Sequence, residues 1–484
     1  MTYGQSADKP RPRIPLVVPV ESRFGATGTD AQLINAFAEK DEEDEFVVYK
    51  RPGVAVAQTI PSMPSLTCVP LGQFVAISYA LGSFGNSFVL TFFWYGSNLY
   101  VSTNGAAPQS IAASQPNFVN VVQVSSTKVS ILYTNQQIGY NFITKTFDGL
   151  GSLTQSQCTY GYISLDNTVY YQDVAGNIWG SILGDYTTWT SSNFIGPQAA
   201  NELGIGCAPH QNYIVSFRTF SFQFYYDAAN PAGSPLLPVP NSNIGWGCKN
   251  GATIQVIEDN VYWLAQSRQS SPFVAALVKG RETRISTPGI ERLLDDVYGN
   301  FYSFSFKDLG HLYYGISVQG TSNLTIVFDI GQQIWYIWTD PQGNYWPWFG
   351  FVTRADSTVL CQSTLQSNTG TIYQVDEEFY TDVNTVFPVD IYTPNYDSGS
   401  RKRDVINRMD FIADQQPGIL KIRHNNDDYA AGKWSQFREV DLNQKRPTLT
   451  KCGTFRRRAW NIRWVEPLPL RLDAIELDIL PGTA

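Results

Sequence analysis

The sequence predicts an all-β fold: a multi-bladed β-propeller of about six blades, followed by an additional C-terminal β-sandwich-like domain. Charged residues are only 16% of the chain and aromatic residues 14%, a balance typical of short strands joined by polar turns. Apolar runs alternate with turn signals at near-regular spacing over residues 65–385. That stretch is too long for one sandwich, but it suits five to seven four-stranded blades of roughly 40–50 residues each.

Residues 1–60 are predicted to be an N-terminal arm that carries the first strands. Prolines at positions 10, 12, 15 and 19 exclude a helix near the start, because proline lacks the N–H group that a helix interior needs. The β-branched and aromatic run at residues 46–49 predicts a short strand, and residues 50–54 predict a turn. The chain therefore reaches the propeller body only after these elements.

Residues 61–385 are predicted to form the propeller body. Its clearest hairpin is residues 324–338, where two apolar runs flank a turn that contains Asp and Gly. The turns at residues 165–167 and 258–260 favour tight hairpins of the same kind. Residues 287–294 differ, since a capping residue, a proline and helically spaced apolar residues predict a short helix.

Residues 386–484 are predicted to form the β-sandwich-like domain. Five strand-like runs occur in this stretch, at residues 405–412, 418–423, 434–440, 454–464 and 470–480. Its charge also differs from that of the body. Residues 391–484 contain 16 basic and 12 acidic residues, a net charge of +4, which leaves −12 for the rest of a chain whose total is −8.

Two basic clusters are the strongest charge features of this domain. They contain Arg401, Lys402, Arg403, Arg456, Arg457 and Arg458. If these residues lie on strands, alternate members face outward and form two positive stripes. One interpretation is a solvated edge that discourages aggregation. The other is a contact with an acidic partner, with the acidic body of a neighbouring copy, or with DNA phosphates.

An acidic run in the N-terminal arm is the second candidate site. It consists of Asp41, Glu42, Glu43, Asp44 and Glu45. Such a run is most often a solvated loop, and the alternative is an acidic surface that faces a partner or a channel.

The motifs of known catalytic and cofactor sites are missing from the sequence. We find no phosphate-binding loop, no dinucleotide fingerprint and no nucleophile elbow. His210, His311 and His424 stand in unrelated contexts, and the six cysteines form no metal or redox motif, so structural roles are expected. Adjacent carboxylates at 295–296, 377–378 and 427–428 point to opposite faces of a strand. The sequence therefore predicts no enzyme activity and no cofactor or metal, and it contains no secretory signal and no membrane span.

Several stretches, in order, resemble the tail hub or nozzle proteins of short-tailed bacteriophages, also called packaged-DNA stabilisation proteins. The stretches are residues 35–38 with 50–54, residues 262–265 through 273–277 to 285–291, residues 311–318 with 324–338, and the closing pattern at 408–411, 434–435 and 456–464. The likeness covers nearly the whole chain through the order of these stretches, and no single motif among them is specific.

The resemblance implies a structural virion protein, made in the host cytoplasm, that forms a hexameric ring below the portal and adaptor. Such a ring continues the DNA-exit channel, retains the packaged DNA and supports its ejection. The implied partners are the tail adaptor, a tail needle or plug, tail fibres or tailspikes, and double-stranded DNA passing without sequence specificity. The acidic run would contribute to the lumen of the ring. The alternative from another class is a glycan-binding or glycan-hydrolysing β-propeller that acts on the host surface.

Overall fold

The computed structural model describes residues 11–17, 31–40, 45–59, 69–78, 86–95, 98–111, 118–133, 136–153, 157–197, 202–230, 232–295, 297–320, 323–353, 357–363, 371–397, 399 and 402–482. Nearly all regular structure in these residues is β-strand, as predicted. The predicted short helix is present as α1 (Pro288–Asp295), which buries Ile290 and Leu294. The Thr287 hydroxyl accepts a hydrogen bond from the Ile290 N–H at 3.4 Å, so the helix begins at its capping residue.

The N-terminal residues contribute four strands. They are β1 (Gln32–Ile34), β2 (Ala36–Lys40), β3 (Phe46–Lys50) and β4 (Gly53–Thr59). Each of them joins a sheet made mostly of later residues. The segment predicted as an arm with first strands is therefore shared between the two parts of the molecule described below.

Four sheets of four antiparallel strands come next in chain order. The first two contain β5 (Val69–Ser78), β6 (Asn86–Tyr95), β7 (Asn98–Thr103) and β8 (Gln109–Ile111), then β9 (Phe118–Gln123), β10 (Lys128–Tyr133), β11 (Gln136–Asn141) and β12 (Thr146–Ser152). The third and fourth contain β13 (Ile163–Leu165), β14 (Thr168–Gln172), β15 (Ile178–Ile182) and β16 (Asp185–Ile195), then β17 (Gly204–His210), β18 (Tyr213–Arg218), β19 (Phe222–Asp227) and β20 (Leu236–Pro238).

Three further sheets follow the same plan. The fifth contains β21 (Gly247–Cys248), β22 (Gln255–Ile257), β23 (Asn260–Gln266), β24 (Phe273–Val278) and β25 (Arg281–Arg284), and both β21 and β22 pair with β23. The sixth contains β26 (Gly299–Asp308), β27 (His311–Gly320), β28 (Leu324–Asp329) and β29 (Ile334–Ile337). The seventh contains β30 (Trp348–Thr353), β31 (Val359–Ser363) and β32 (Thr371–Asp376), and its outer strand is β4.

The sheets form a closed ring. Contacts between inner strands run from β5 through β9, β13, β17, β22, β26 and β30, and β30 contacts β5 again. Strand β4 from the N-terminal segment pairs with β32 from the end of the propeller. The seventh blade therefore contains strands from both ends of the propeller, which closes the ring. The described residues therefore form a seven-bladed β-propeller, at the upper end of the predicted five to seven.

The tight turns are as the sequence predicted. Asp166 and Asn167 have φ angles of 48° and 59°, and Glu258 and Asp259 have φ angles of 48° and 64°. Two successive residues with positive φ are typical of the two-residue turn whose twist matches that of the flanking strands. Short polar loops of this kind let each blade form as a local meander.

The C-terminal residues form two sheets that pack as a sandwich. Their strands are β33 (Val389–Tyr392), β34 (Asp404–Ala413), β35 (Ile419–Asn425), β36 (Arg438–Asp441), β37 (Thr448–Thr450), β38 (Thr454–Phe455), β39 (Ala459–Trp464) and β40 (Arg471–Leu480). One sheet has the order β1-β33-β39-β35-β36, and the other has the order β2-β3-β40-β34-β37 with β38 also on β34. Ile391 and Ile462 from the first sheet share a buried cluster with Phe411 and Ile475 from the second.

The propeller and the sandwich are joined by a continuous sheet. Strand β29 of the sixth blade pairs in parallel with β1, with Ile337 opposite Ile34. The hairpin of residues 324–338 therefore belongs to a blade and also adjoins the sandwich. Phe304 and Trp338 from the propeller lie in the same buried cluster as the sandwich residues, so the two parts share a core.

Candidate interaction surface

Strand pairing brings the two basic clusters together. Strand β38 pairs antiparallel with the start of β34, with Asp404 opposite Phe455. Arg403 directly precedes Asp404 and Arg456 directly follows Phe455, so the antiparallel register places these two arginines side by side. The Asp404 carboxylate is buried and accepts a hydrogen bond from the Gly482 N–H at 3.0 Å, which fixes the start of β34.

The resulting surface consists of Lys402, Arg403, Arg456 and Arg457, and we name it the basic edge. All four side chains are exposed. Arg457 makes an ion pair with Asp428 at 3.2 Å, and such an exposed pair contributes little to stability. Among the described residues, neither Arg403 nor Arg456 makes an ion pair. Two clusters about 50 residues apart in the sequence therefore present one positive surface.

The prediction that all six basic residues belong to an interaction surface is wrong for Arg458. Its side chain is 1% exposed, and it donates hydrogen bonds to the Cys452 carbonyl at 2.6 Å and to the Asn426 side chain at 2.8 Å. Burial lowers the pKa of Arg458 to about 10. Arg458 forms an antiparallel bridge with Tyr396, and from this point the chain runs inside the sandwich. Arg456 and Arg457 therefore face solvent, whereas Arg458 faces the core. Arg401 lies outside the described residues.

Glu45 is the only member of the acidic run within the described residues, since Asp41, Glu42, Glu43 and Asp44 lie outside them. Its carboxylate accepts a hydrogen bond from Arg13, which raises the pKa of Arg13. The segment around Arg13 lies along β40, where the Ile14 N–H donates to the Ile475 carbonyl at 3.0 Å. Glu45 therefore helps to hold the N-terminal segment on the sandwich.

The innermost propeller strands carry few charges. In β5, β9, β13, β17, β22, β26 and β30 the residues of charged types and histidine are His210, Lys307 and Asp308. The described inner strands therefore place few acidic residues along the propeller axis.

The three histidines have structural contacts. His210 is buried, and its Nδ1 lies 2.6 Å from the Asp259 carbonyl while its Nε2 accepts the Gly280 N–H at 2.9 Å. Burial lowers the pKa of His311, but hydrogen bonds with Asp329 at 2.5 Å and Glu39 at 3.0 Å outweigh it and raise the pKa overall.

The third histidine, His424, lies opposite Trp460 in the β35–β39 pair. Burial lowers the pKa of His424 to about 4, with Arg458 and Arg438 adding to that effect, and its Nδ1 lies 3.2 Å from the Ser435 hydroxyl. His424 is therefore neutral near pH 7, and its ring serves to pack and orient the β35–β36 connection.

One carboxyl group stands in a groove between the sixth and seventh blades. Asp308, Asp376 and Glu377 line this groove of about 490 Å³ together with Lys307. Burial, with Glu377 and Asp376 nearby, raises the pKa of Asp308 to about 6. Its Oδ2 atom is buried and has no hydrogen-bond partner among the described residues. In the part of the chain that is described, no group of three or more His, Cys, Asp or Glu side chains is placed to hold a metal ion.

Asp308→Asn is expected to stabilise the protein at pH 7.5 and to leave it unchanged at pH 4. The pKa of Asp308 is near 4 in the unfolded chain and about 6 in the folded protein, so folding favours the protonated carboxyl. Below pH 4 the group is protonated in both states and costs nothing. As the pH rises through 6, the buried group must ionise and the protein loses stability, which asparagine avoids. The gain at pH 7.5 is on the order of 1 kcal/mol once solvent screening is allowed for. Thermal unfolding at the two pH values measures it, and an equal effect at both would contradict this assignment.

The five cysteines within the described residues are free thiols. Cys158, Cys207, Cys248, Cys361 and Cys452 are buried and unpaired, and burial raises the pKa of each. Cys68 lies outside the described residues. Within the described residues, no helix is long and apolar enough to cross a bilayer.

Comparison with known proteins assigns no family. No family model matches the chain, and no curated protein matches it. Among solved structures it is similar to the crystal structure of the N-terminal domain of Nup159, over 72% of this chain and 99% of that chain, with 10% identity and a TM-score of 0.39. That likeness is too low to bear on function, and the propeller assignment rests on the sheet topology described above.

Proposed function

We propose that this chain is the tail hub, or nozzle, protein of a short-tailed bacteriophage. In this role it is a structural virion protein that continues the DNA-exit channel below the portal and adaptor, retains the packaged DNA and supports genome ejection. The observation that carries the proposal is the basic edge. It is an exposed positive surface on a chain whose first 390 residues have a net charge of −12.

Opposite charges on two parts of one chain favour a head-to-tail ring. In a heterologous contact, one surface of a copy meets a different surface of the next, and the ring closes when the rotation allows it. Electrostatic complementarity sets the register of such contacts and suppresses wrong pairings. We therefore propose a homohexamer in which the basic edge contacts an acidic surface of the neighbouring copy or of the adaptor.

The joint between propeller and sandwich suits a mechanical role. The continuous sheet through β29 and β1 and the shared core resist a hinge motion between the two parts. A ring of such rigid units would hold its bore while DNA under pressure presses on it. Because the propeller axis is nearly uncharged, the proposed channel for DNA lies between copies and not within one propeller.

The proposed partners follow from the same role. They are the adaptor above the ring, a needle or plug that closes its far end, and tail fibres or tailspikes on its outside. Double-stranded DNA would pass without sequence-specific contacts, since a weakly adhesive lining allows movement.

Measurement of the assembled mass tests the proposal. We expect the chain, alone or mixed with the adaptor ring, to form a particle containing six 54.1 kDa chains, visible by mass photometry and as a ring in electron micrographs. A monomer that neither forms a ring nor binds the adaptor would overturn it. A monomer that cleaves polysaccharide would favour the glycan-active alternative.

A further inference from the structure

A surface cleft of about 530 Å³ lies where the third and fourth blades meet. Asp166 comes from the β13–β14 turn of the third blade. Asn212 comes from the β17–β18 turn of the fourth blade, Tyr213 begins its β18 strand, and Tyr226 and Asp227 end its β19 strand. The cleft is therefore built by hairpin ends from two blades, and its volume is within the range of small-molecule sites.

Two tyrosines form one wall of the cleft. Tyr213 and Tyr226 are directly opposite each other in the β18–β19 pair, so their side chains lie on the same face of the sheet. Tyr213 is 38% exposed, and its ring packs edge-on against Phe224 with the centroids 6.1 Å apart. This contact holds an aromatic side chain in place with part of its surface open to a ligand.

Polar groups with both donor and acceptor capacity surround the tyrosines. The Asp227 carboxylate accepts a hydrogen bond from the Ala229 N–H at 2.7 Å through Oδ1, which orients it. Asp166 and Asn212 are exposed at the two turns. Carboxylates only accept hydrogen bonds, whereas the Asn amide and the tyrosine hydroxyls both donate and accept.

A buried tyrosine lies in the core between the same two blades. Tyr170 is completely buried, and its hydroxyl makes no hydrogen bond of ordinary geometry with any described group, although Thr168 lies close to it. Tyr170 belongs to the buried cluster between the third and fourth blades, and the cleft residue Leu165 packs against that cluster. Leu165 and Val239 therefore give the cleft an apolar lining beside its polar groups.

We propose that this cleft binds a saccharide of one or two rings. The apolar C–H face of a sugar ring packs on an aromatic side chain, here Tyr213, while the sugar hydroxyls donate to Asp166 and Asp227 and exchange hydrogen bonds with Asn212. A positively charged group would also suit two carboxylates beside aromatic rings. The saccharide is favoured for two reasons. A single ammonium or guanidinium group would leave most of the cleft volume unfilled. Such a cation also cannot accept hydrogen bonds from the Asn212 amide or the tyrosine hydroxyls, whereas sugar hydroxyls can.

The test is saturation-transfer NMR with the full-length protein. The probes are maltose, lactose, N,N′-diacetylchitobiose and methyl rhamnoside, and spermidine and arginine amide are the cationic probes. We expect at least one saccharide to bind. Its affinity should fall at least tenfold in Tyr213→Ala and in Asp227→Asn, and should be unchanged in Tyr298→Ala, an exposed tyrosine that is not among the cleft residues.

Three outcomes would overturn the saccharide assignment. They are the absence of binding by every saccharide probe, binding that both cleft variants leave intact, and binding by the cationic probes alone. Tyr213→Phe keeps the ring and should retain binding, and an unchanged thermal transition in Tyr213→Ala shows that its loss of binding is not a failure to fold. The cleft lies on the propeller, far in sequence from the basic edge, and none of these results depends on ring assembly.

Discussion

Replacing Arg51 by methionine is expected to lower the free energy of unfolding by about 3–5 kcal/mol. The guanidinium is fully buried and lies 2.7 Å from the carboxylate of Asp382. The Asp382 side chain is itself only 5% exposed. Methionine fills a similar volume but leaves the Asp382 carboxylate buried without its cation, which is the costly way to break a buried ion pair. Equilibrium unfolding in urea measures the change, and the first thermal transition serves if unfolding is not two-state.

Two comparison variants make this expectation specific. Arg457 pairs with Asp428 at 3.2 Å, and both side chains are about half exposed, so Arg457→Met should cost less than about 1 kcal/mol. Combining Arg51→Met with Asp382→Leu removes both charges and should recover much of the lost stability. If Arg51→Met alone changed stability no more than Arg457→Met does, the buried pair would not be a main stabilising contact.

The effect should reach both parts of the molecule, because Arg51 connects them. Its side chain donates to the Asn35 side chain at 3.0 Å, between β1 and β2, and to the Thr339 carbonyl at 3.0 Å, after the sixth blade. Asp382 follows the seventh blade in the chain. The centroid of the Phe387 ring, in the segment that leads to the sandwich, lies 3.7 Å from the guanidinium carbon. Loss of Arg51 is therefore expected to loosen the propeller and the sandwich together.

Local sequence signals were sufficient where the structure is local. The hairpin turns at Asp166 and Glu258 and the helix that follows Thr287 depend on residues within a few positions, and all three are confirmed. Arg51 shows the opposite case. Residues 50–54 predicted only a turn, because the partner that explains the buried charge stands 331 positions away.

The surface residues divide in the same way. The basic edge was predicted in part, since charge runs are visible in the sequence, but only the pairing of β34 with β38 puts Lys402 and Arg403 beside Arg456. Nothing local marks Arg458 as buried, because strand alternation alone does not predict where the backbone turns into the core. The saccharide cleft left no sequence signal, since Asp166 and Tyr213 come from different blades.

Reversing the charge of the basic edge is expected to abolish ring assembly. The change is Lys402→Glu, Arg403→Glu, Arg456→Glu and Arg457→Glu in one chain. Under the proposed function, these residues meet an acidic surface, so reversal replaces attraction by like-charge repulsion that costs several kcal/mol. Assembly should weaken about 100-fold or more, which corresponds to roughly 3 kcal/mol. Mass photometry of the full-length protein with and without the adaptor ring measures it.

The control is a second reversal of equal charge on the propeller, at Lys145, Lys279, Arg281 and Arg292, which are all exposed. Both variants change the net charge by the same amount, so only a local contact makes them differ, whereas a bulk charge effect makes them alike.

Added salt should weaken assembly of the wild-type protein, because exposed ion pairs are screened. Reversed basic-edge chains that still form the ring would show that this surface is only a solvated edge. All four side chains are exposed, so their replacement should not disturb the core. An unchanged thermal transition would then show that a loss of assembly does not come from unfolding.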